Sequence, residues 1–333
     1  MNSPLTFHSF IGNKRVVEIL RHAVDRDRLP HAMIFAGPSG IGKRTLALLL
    51  AHQLNCLQPI NSEACNNCTS CRKIACAMHP DVRVIEKDGA YIKIDQVREL
   101  INEIAYQPFE GHYRVAILDG AEQMRAEAAN CLLKTLEEPA SRSVLILVTP
   151  KPYLLLGTIR SRARMLQFGL IELAEIEAYL TSRGGRSPED ARLAAVLSNG
   201  SLGSALAFDA ERSRGMRQQA LRFVTLLLGN GRFTEASALA ANVVKEKESF
   251  QPWVEITAML LQDIYYAQVA PARMSQLDIA EELTSLAQSS SHAAVVSAIE
   301  AIKNLKAALQ QNVNRQLALE TLFLAESTAV RRS

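Results

Sequence analysis

Four short apolar runs mark the first half of the chain. They are residues 32–36 (AMIFA), 82–85 (VRVI), 115–118 (VAIL) and 144–148 (VLILV). Segments with helical spacing of apolar residues separate these runs, notably Arg44 to Leu54 and Asp95 to Gln107, where Asp95 would be the N-cap. Apolar strands that alternate with helices are typical of a parallel sheet covered on both faces. The pattern therefore predicts an α/β core.

The second half of the chain is predicted to be helical throughout. After Phe168 apolar residues recur at three- and four-residue spacing, for instance in 256–264 and 299–309, and no convincing strand is present. Residues 183–188 (RGGRSP) predict a loop between two short helices. We expect three parts: an α/β core at 1–167, a small helical module at 168–208 and an all-helical domain at 209–333.

Composition places the chain among globular proteins. Of 333 residues, 48% are hydrophobic and 21% are charged, and 37 basic against 34 acidic residues give a net charge of +3. This excess is too small to bind nucleic acid by overall charge, and no basic stripe is interleaved with aromatic residues. The N-terminal segment lacks the features of a secretory signal, and no apolar run reaches the roughly 20 residues that span a bilayer. We therefore expect a cytoplasmic protein that makes no membrane contact.

A phosphate-binding loop is predicted directly after the first strand. Residues 37–43 (GPSGIGK) match G-x-x-x-x-G-K, and a predicted helix follows. In such a loop the glycines let backbone N–H groups turn towards phosphates, and the lysine reaches the β and γ phosphates. The candidate ligands of ATP or ADP are Gly37, Gly40, Gly42 and Lys43. A glycine-rich turn that binds no ligand is the alternative.

The positions that would hold magnesium depart from this motif. The eighth position of the loop is usually a Ser or Thr whose hydroxyl binds Mg²⁺, and here it is Arg44. Thr45 comes one residue late and should point about 100° away around the helix. Asp119 ends the third apolar run, where a carboxylate can hold the Mg²⁺ shell or cap the next turn. These residues complete the candidate nucleotide site, but they argue against metal-assisted hydrolysis.

Four cysteines are spaced as metal ligands. Cys56, Cys65, Cys68 and Cys71 follow C-x8-C-x2-C-x2-C. In a reducing compartment four thiolates at such spacing can surround one structural Zn²⁺, with no open position for water. Free or redox-active thiols are the alternative. Cys76 and Cys131 lie outside the pattern and are expected to be small apolar core residues.

Several strings of the sequence together resemble bacterial DNA polymerase III clamp-loader subunits, from one end of the chain to the other. They are AANCLLKTLEEP at 128–139, TIRSRA at 158–163, NVNRQLALETLFL at 312–324 and the four-cysteine insertion at about 56–71. The resemblance implies an AAA+ P-loop core, a helical lid and a C-terminal helical collar that assembles a five-subunit ring. It also implies gamma/tau and delta subunits as partners, and the sliding clamp and primed DNA as targets of the assembled complex.

The sequence departs at three positions from the family members that hydrolyse ATP. Arg44 replaces the metal-binding hydroxyl, Gly120 occupies the place of the catalytic Glu, and Gly203 stands where the active lid carries an arginine that reads the γ-phosphate. Arg162 is retained, although Ala163 follows it in place of the usual Cys. In the family this arginine faces the nucleotide of the neighbouring subunit and acts in trans as an arginine finger. A solvated loop arginine is the alternative.

Three hypotheses for function follow. The first is a non-hydrolysing ring subunit that lends Arg162 to an adjacent ATPase and has little or no catalysis of its own. The second is an active ATPase motor of the gamma/tau type, supported by Lys43 and Asp119. The third, an unrelated P-loop enzyme such as a kinase, would account for the loop but not for the cysteines or the helical C-terminal half.

Overall fold

The computed structural model describes residues 6–229, 231–246, 249–309 and 313–330. The chain divides into two compact units, Met1–Ala207 and Phe208–Ser333. The first unit holds all five strands of the sheet, and the second is helical in the part of the chain that is described. No described helix is both long and apolar enough to span a membrane.

A five-stranded parallel sheet forms the centre of the first unit. Its strands are β1 Ala32–Ala36, β2 Val82–Ile85, β3 Arg114–Asp119, β4 Ser143–Thr149 and β5 Arg164–Gln167. They are arranged in the order β2-β3-β4-β1-β5, and every neighbouring pair is parallel. Phe35 of β1 lies opposite Val148 of β4 and Leu166 of β5. All strands therefore present their carboxyl ends at one edge of the sheet.

Helices cover both faces of this sheet. They are α1 Lys14–Asp25, α2 Lys43–Asn55, α3 Thr69–Ala75, α4 Ile94–Ile104, α5 Ala126–Glu137 and α6 Gly157–Arg160. Successive side chains of a strand point to opposite faces, so Phe35 packs with Leu50 of α2, whereas Ile34 packs with Leu132 of α5. The predicted parallel α/β core is confirmed.

Three details of the core differ from the sequence prediction. The N-cap of α4 is Lys93, and Asp95 lies inside the first helical turn. The helix ends at Ile104 instead of Gln107, because Pro108 disfavours helical geometry in the residue before it. Strand β5 was not predicted, since Leu166 is its only buried residue and no apolar run marks it.

Three short helices complete the first unit: α7 Leu173–Ser182, α8 Pro188–Leu197 and α9 Leu202–Leu206. The turn between α7 and α8 lies where the RGGRSP string predicts it. The Ser187 hydroxyl accepts a hydrogen bond from the backbone N–H of Asp190 at 3.2 Å, and Pro188 occupies the first turn of α8. Both features are strong signals for the start of a helix.

The second unit is a bundle of long helices. They are α10 Ala210–Leu228, α11 Phe233–Lys245, α12 Phe250–Val269, α13 Ala280–Ser289, α14 His292–Ala308 and α15 Arg315–Val330. Helix α12 packs against α10, α13 and α14. Its Trp253 is fully buried, and the indole meets the ring of Phe223 edge-on at 5.3 Å. The apolar periodicity of this half therefore predicts its helical fold correctly.

Candidate functional site

The glycine-rich loop lies at the carboxyl edge of the sheet, between the end of β1 at Ala36 and the start of α2 at Lys43. Gly40 and Gly42 have φ angles of 73° and 92°, a region that side chains other than glycine rarely adopt. A Cβ atom on Gly40 would lie 2.2 Å from the hydroxyl of Ser201, and one on Gly42 would lie 2.9 Å from the ring of Phe10. The loop therefore requires glycine at both positions.

A cavity of about 420 Å³ opens beside this loop, and we call it the P-loop cavity. Six of the seven residues predicted to bind nucleotide line it: Gly40, Gly42, Lys43, Arg44, Thr45 and Asp119. The seventh, Gly37, lies in the same loop and contacts Lys43. Thr45 lines the cavity despite its position one residue after the motif, because both Arg44 and Thr45 are exposed at the start of α2.

Lys43 is folded back onto its own loop. Its ammonium donates to the carbonyl oxygen of Gly37 at 2.6 Å and to that of Pro38. The residue is only 6% exposed. Burial lowers the pKa of Lys43, and the negative charges of Asp119 and Glu122 oppose that shift. A phosphate group entering the cavity would have to compete with these two carbonyl groups for the ammonium.

Arg44 takes the position of the missing hydroxyl with a fixed positive charge. Its guanidinium forms an ion pair with Glu86 and lies 3.5 Å from the carboxylate of Asp119. Burial raises the pKa of Asp119, and the nearby guanidinium opposes that shift. Within the described residues, the Asp119 side chain accepts no hydrogen bond from the following turn, so Asp119 is not a cap. The carboxylate that could hold Mg²⁺ instead faces a side-chain cation.

The acidic residue after the third strand is also engaged. Gly120 has a φ of 79°, and Glu122 lies in the short 3₁₀ turn that follows it. The carboxylate of Glu122 accepts a hydrogen bond from the hydroxyl of Thr149 at 2.8 Å. Thr149 is fully buried and ends β4, between the strands that carry the loop and Asp119. Sequence reasoning missed Thr149, although a polar residue that ends an apolar strand at this edge is a usable signal.

Helix α9 contacts the phosphate-binding loop through glycine. The backbone N–H of Gly203 donates to the carbonyl oxygen of Gly40 at 2.7 Å. A Cβ atom on Gly203 would lie 3.1 Å from the Cα atom of Gly40, closer than side chains ordinarily approach. The absence of a side chain at Gly203 therefore permits this backbone contact.

The four motif cysteines converge as their spacing predicts. Their sulfur atoms all lie within 4.8 Å of one another: Cys56, Cys65, Cys68 and Cys71. A tetrahedral Zn²⁺ with bonds of about 2.3 Å needs sulfur atoms about 3.8 Å apart, so the cluster fits this ion. Cys56 directly follows α2, while Cys68 is the N-cap of α3 and Cys71 lies inside that helix. A metal ion here would fasten α3 to the end of α2.

The thiols of the cluster differ in acidity. Burial opposes ionisation of Cys68, but hydrogen bonds from the backbone of Cys71 and Leu57 lower its pKa to about 6. Burial raises the pKa of Cys71.

The two cysteines outside the cluster differ in burial. The prediction that Cys76 is a core residue is wrong, because its side chain is exposed, whereas Cys131 is partly buried. Cys76 directly follows α3, as its C-cap residue.

Arg162 lies outside the P-loop cavity, in the loop between α6 and β5. Its guanidinium pairs with the carboxylate of Glu137 at 2.7 Å and donates to the carbonyl oxygen of Thr158 at 3.1 Å. The side chain is 36% exposed. The structure thus places the two predicted sites apart: the P-loop cavity lies at the carboxyl edge of the sheet, and Arg162 is accessible elsewhere on the same unit.

Comparison with known proteins identifies the family of the chain. A family model described as DNA polymerase III, delta subunit, matches residues 12–172, and a second model, for the C-terminal part of the delta subunit, matches residues 217–327. The DNA polymerase III subunit delta' of Bacillus subtilis is 31% identical over 317 residues, covering 93% of this chain and 94% of the relative. The chain belongs to the delta prime family of clamp-loader subunits.

Other members of the clamp-loader group match parts of the chain. The delta' subunit of Pseudomonas aeruginosa is 44% identical over 134 residues, 40% of this chain and 41% of the relative. The tau subunit of Escherichia coli is 30% identical over 249 residues, 73% of this chain and 38% of the relative. The resemblance found in the sequence is therefore confirmed at the level of the family, and the roles of individual residues remain predictions.

Proposed function

We propose that this delta prime chain is a non-hydrolysing subunit of the DNA polymerase III clamp loader, acting in the cytoplasm, and that it lends Arg162 to the nucleotide site of a neighbouring gamma/tau subunit. Through the assembled ring it helps to load the sliding clamp onto primed DNA. The observation that carries the first part is the guanidinium of Arg44 between Glu86 and Asp119. A side-chain cation there competes with Mg²⁺ for the same carboxylate.

Magnesium is central to phosphoryl transfer because it bridges the β and γ phosphates and neutralises the charge that develops on them. Arg44 supplies no hydroxyl ligand, and its positive charge repels a divalent ion near Asp119. Glu122, the nearest acidic residue to the usual place of the water-polarising Glu, is hydrogen-bonded to Thr149. The cavity can admit a nucleotide, but its side chains do not suit metal-assisted hydrolysis.

Three properties of Arg162 support its role in trans. It lies outside the chain's own P-loop cavity, it is exposed, and its guanidinium offers a planar set of N–H donors that suits phosphate oxygens. Relatives named gamma/tau and tau match this chain at 36% and 30% identity. Subunits of that kind are the proposed neighbours, and a delta subunit is the remaining proposed member of the ring.

An active motor of the gamma/tau type is the second candidate function. Lys43 and Asp119 both line the P-loop cavity, as that function requires. Isolated chain assayed for ATP turnover separates the two candidates. We expect no turnover above background, whereas a steady turnover that is lost in Lys43→Ala would establish the motor.

The role of Arg162 is tested in reconstituted clamp loader. Arg162→Ala is expected to leave folding and ring assembly intact and to lower clamp- and DNA-stimulated ATP turnover. An arginine finger contributes on the order of 10³ in rate at the site that it serves, and the loss for a ring with several active sites is smaller. Arg162→Lys should restore little, because an ammonium lacks the planar fork.

The matched control is Arg160→Ala. Arg160 is exposed and only two residues away, at the end of α6, so it carries the same charge in the same loop region. We expect Arg160→Ala rings to retain normal turnover. Unchanged turnover in a fully assembled Arg162→Ala ring would show that Arg162 is a structural residue, and the proposal of a donated arginine would be withdrawn.

A further inference from the structure

We propose that Glu137 is a positioning residue that holds the guanidinium of Arg162 in the orientation needed by the neighbouring subunit. This inference rests on the proposed function, because it concerns the same arginine. The carboxylate of Glu137 lies 2.7 Å from one terminal nitrogen of Arg162. Within the described residues, this is the one polar contact of the Arg162 side chain that comes from a different helix of the core.

The remaining contacts of Arg162 are local. The second terminal nitrogen donates to the carbonyl oxygen of Thr158 at 3.1 Å and to the hydroxyl of Ser161 at 3.3 Å. Both partners lie within four residues of Arg162 along the chain, so neither ties the guanidinium to another element of the core. Arginine has many rotamers, and a contact from a separate rigid element is needed to select one of them.

Glu137 lies on such an element. It is the last residue of α5, and the neighbouring Leu132 and Leu136 of this helix are buried in the core. The backbone at Arg162 is itself anchored, because its N–H donates to the carbonyl oxygen of the buried Ile159 at 3.1 Å. The ion pair therefore joins two rigid parts of the core at an exposed point, with Arg162 36% and Glu137 52% exposed.

The location of Glu137 is electrostatically unusual. A helix carries partial negative charge at its C-terminal end, where acidic side chains are disfavoured, yet Glu137 and Glu138 both stand at the end of α5. Arg162 neutralises the first of these two charges. One terminal nitrogen of Arg162 faces Glu137, and the other faces Thr158 and Ser161. The N–H groups of the guanidinium that these contacts do not use remain available for phosphate oxygens.

The test compares Glu137→Gln with Glu138→Gln in reconstituted rings, with Arg162→Ala as the reference for complete loss. Gln is nearly isosteric but uncharged, so it weakens a charge-assisted hydrogen bond. Glu138 is the adjacent carboxylate, is exposed, and has no side-chain ion pair within the described residues. We expect Glu137→Gln to lower kcat at the neighbouring site about fivefold, against a loss on the order of 10³ for Arg162→Ala, with KM for ATP little changed. Glu138→Gln should have no effect.

Two further measurements separate positioning from a general structural role. In the Arg162→Ala background, Glu137→Gln should cause no additional loss of turnover. In the isolated chain, the reaction of Arg162 with phenylglyoxal, followed by mass spectrometry, should become faster in Glu137→Gln and stay unchanged in Glu138→Gln.

The outcomes distinguish this inference from the proposed function. If Arg162→Ala lowers turnover but Glu137→Gln leaves it unchanged or raises it, Glu137 does not position the arginine and the inference is overturned. An equal loss from Glu137→Gln in the Arg162→Ala background overturns it as well, because Glu137 then acts through another group. If Arg162→Ala itself has no effect in assembled rings, the proposed function fails first, and the inference falls with it.

Discussion

Arg44→Thr gives the sharpest test of how the P-loop cavity differs from that of an ATP-hydrolysing relative. The substitution restores a hydroxyl at the eighth position of the loop and removes the guanidinium that pairs with Glu86 and lies 3.5 Å from Asp119. Asp119 would then be free to face a metal ion. We therefore expect Mg²⁺-dependent nucleotide binding to appear in the variant and to be weak in the wild-type chain.

The magnitude follows from the charges involved. Two unit charges 4 Å apart interact with about 1 kcal/mol in water, so a guanidinium repels a divalent ion at that distance by about 2 kcal/mol. In a cavity that is shielded from water, the lower effective dielectric constant strengthens this repulsion. Removing it should raise the affinity for Mg²⁺-nucleotide at least about tenfold. The cost to folding is small, about 1 kcal/mol or less, because the Arg44 side chain is 45% exposed and such pairs are screened by solvent.

The assay is the binding of a fluorescent ADP or ATP analogue in Mg²⁺ and in EDTA. Arg98→Thr is the control, since Arg98 is an exposed arginine that pairs with Asp95 at 3.7 Å and does not line the cavity. We expect no Mg²⁺ effect in the control and no ATP turnover in Arg44→Thr, because Gly120 remains. Tenfold tighter wild-type binding in Mg²⁺, or the lack of any Mg²⁺ effect in Arg44→Thr, would refute the reasoning.

Two further predictions concern the core. Elemental analysis of the purified chain should give about one zinc per molecule. The Cys68→Ser variant should lose the zinc, and Cys76→Ser should retain it. Metal-free protein whose four cluster thiols are freely alkylated would show that there is no zinc site. Asp81→Asn should lower the free energy of unfolding by about 2 kcal/mol in urea titration, because the buried carboxylate accepts three backbone N–H groups at 2.7, 2.9 and 2.8 Å. Burial alone would raise the pKa of Asp81, but these hydrogen bonds hold it below its usual value. The stability difference between wild type and Asp81→Asn should therefore be full at neutral pH and shrink as the pH falls below about 4. A stability difference that does not change with pH contradicts this account.

Local signals in the sequence were sufficient for the phosphate-binding loop and the cysteine cluster. The loop joins a strand to a helix within a few residues, and glycine and lysine at fixed spacing determine its conformation. The cysteines lie within a short segment from the end of α2 to the first turn of α3, and the structure confirms that their sulfur atoms converge. The zinc ion itself stays a prediction.

Contacts between distant residues were not predictable in the same way. Glu86 pairs with Arg44 because the parallel strands bring the loops that follow them to one edge of the sheet. Glu137 pairs with Arg162 because the end of α5 packs near the loop after α6. A single carboxylate in a sequence carries no signal that names its partner. Strand β5 was missed for a related reason, because an edge strand with only Leu166 buried has no apolar run to mark it.

The hydrogen bond from Gly203 to Gly40 has a consequence for regulation in the cell. In a nucleotide-driven motor, the lid and the phosphate-binding loop communicate through the bound nucleotide, so the conformation follows the supply of ATP. In this chain helix α9 and the loop are joined by a backbone hydrogen bond that requires no bound nucleotide. Under the proposed function, this contact would form with or without ATP, and the supply of ATP would be sensed by the other members of the ring.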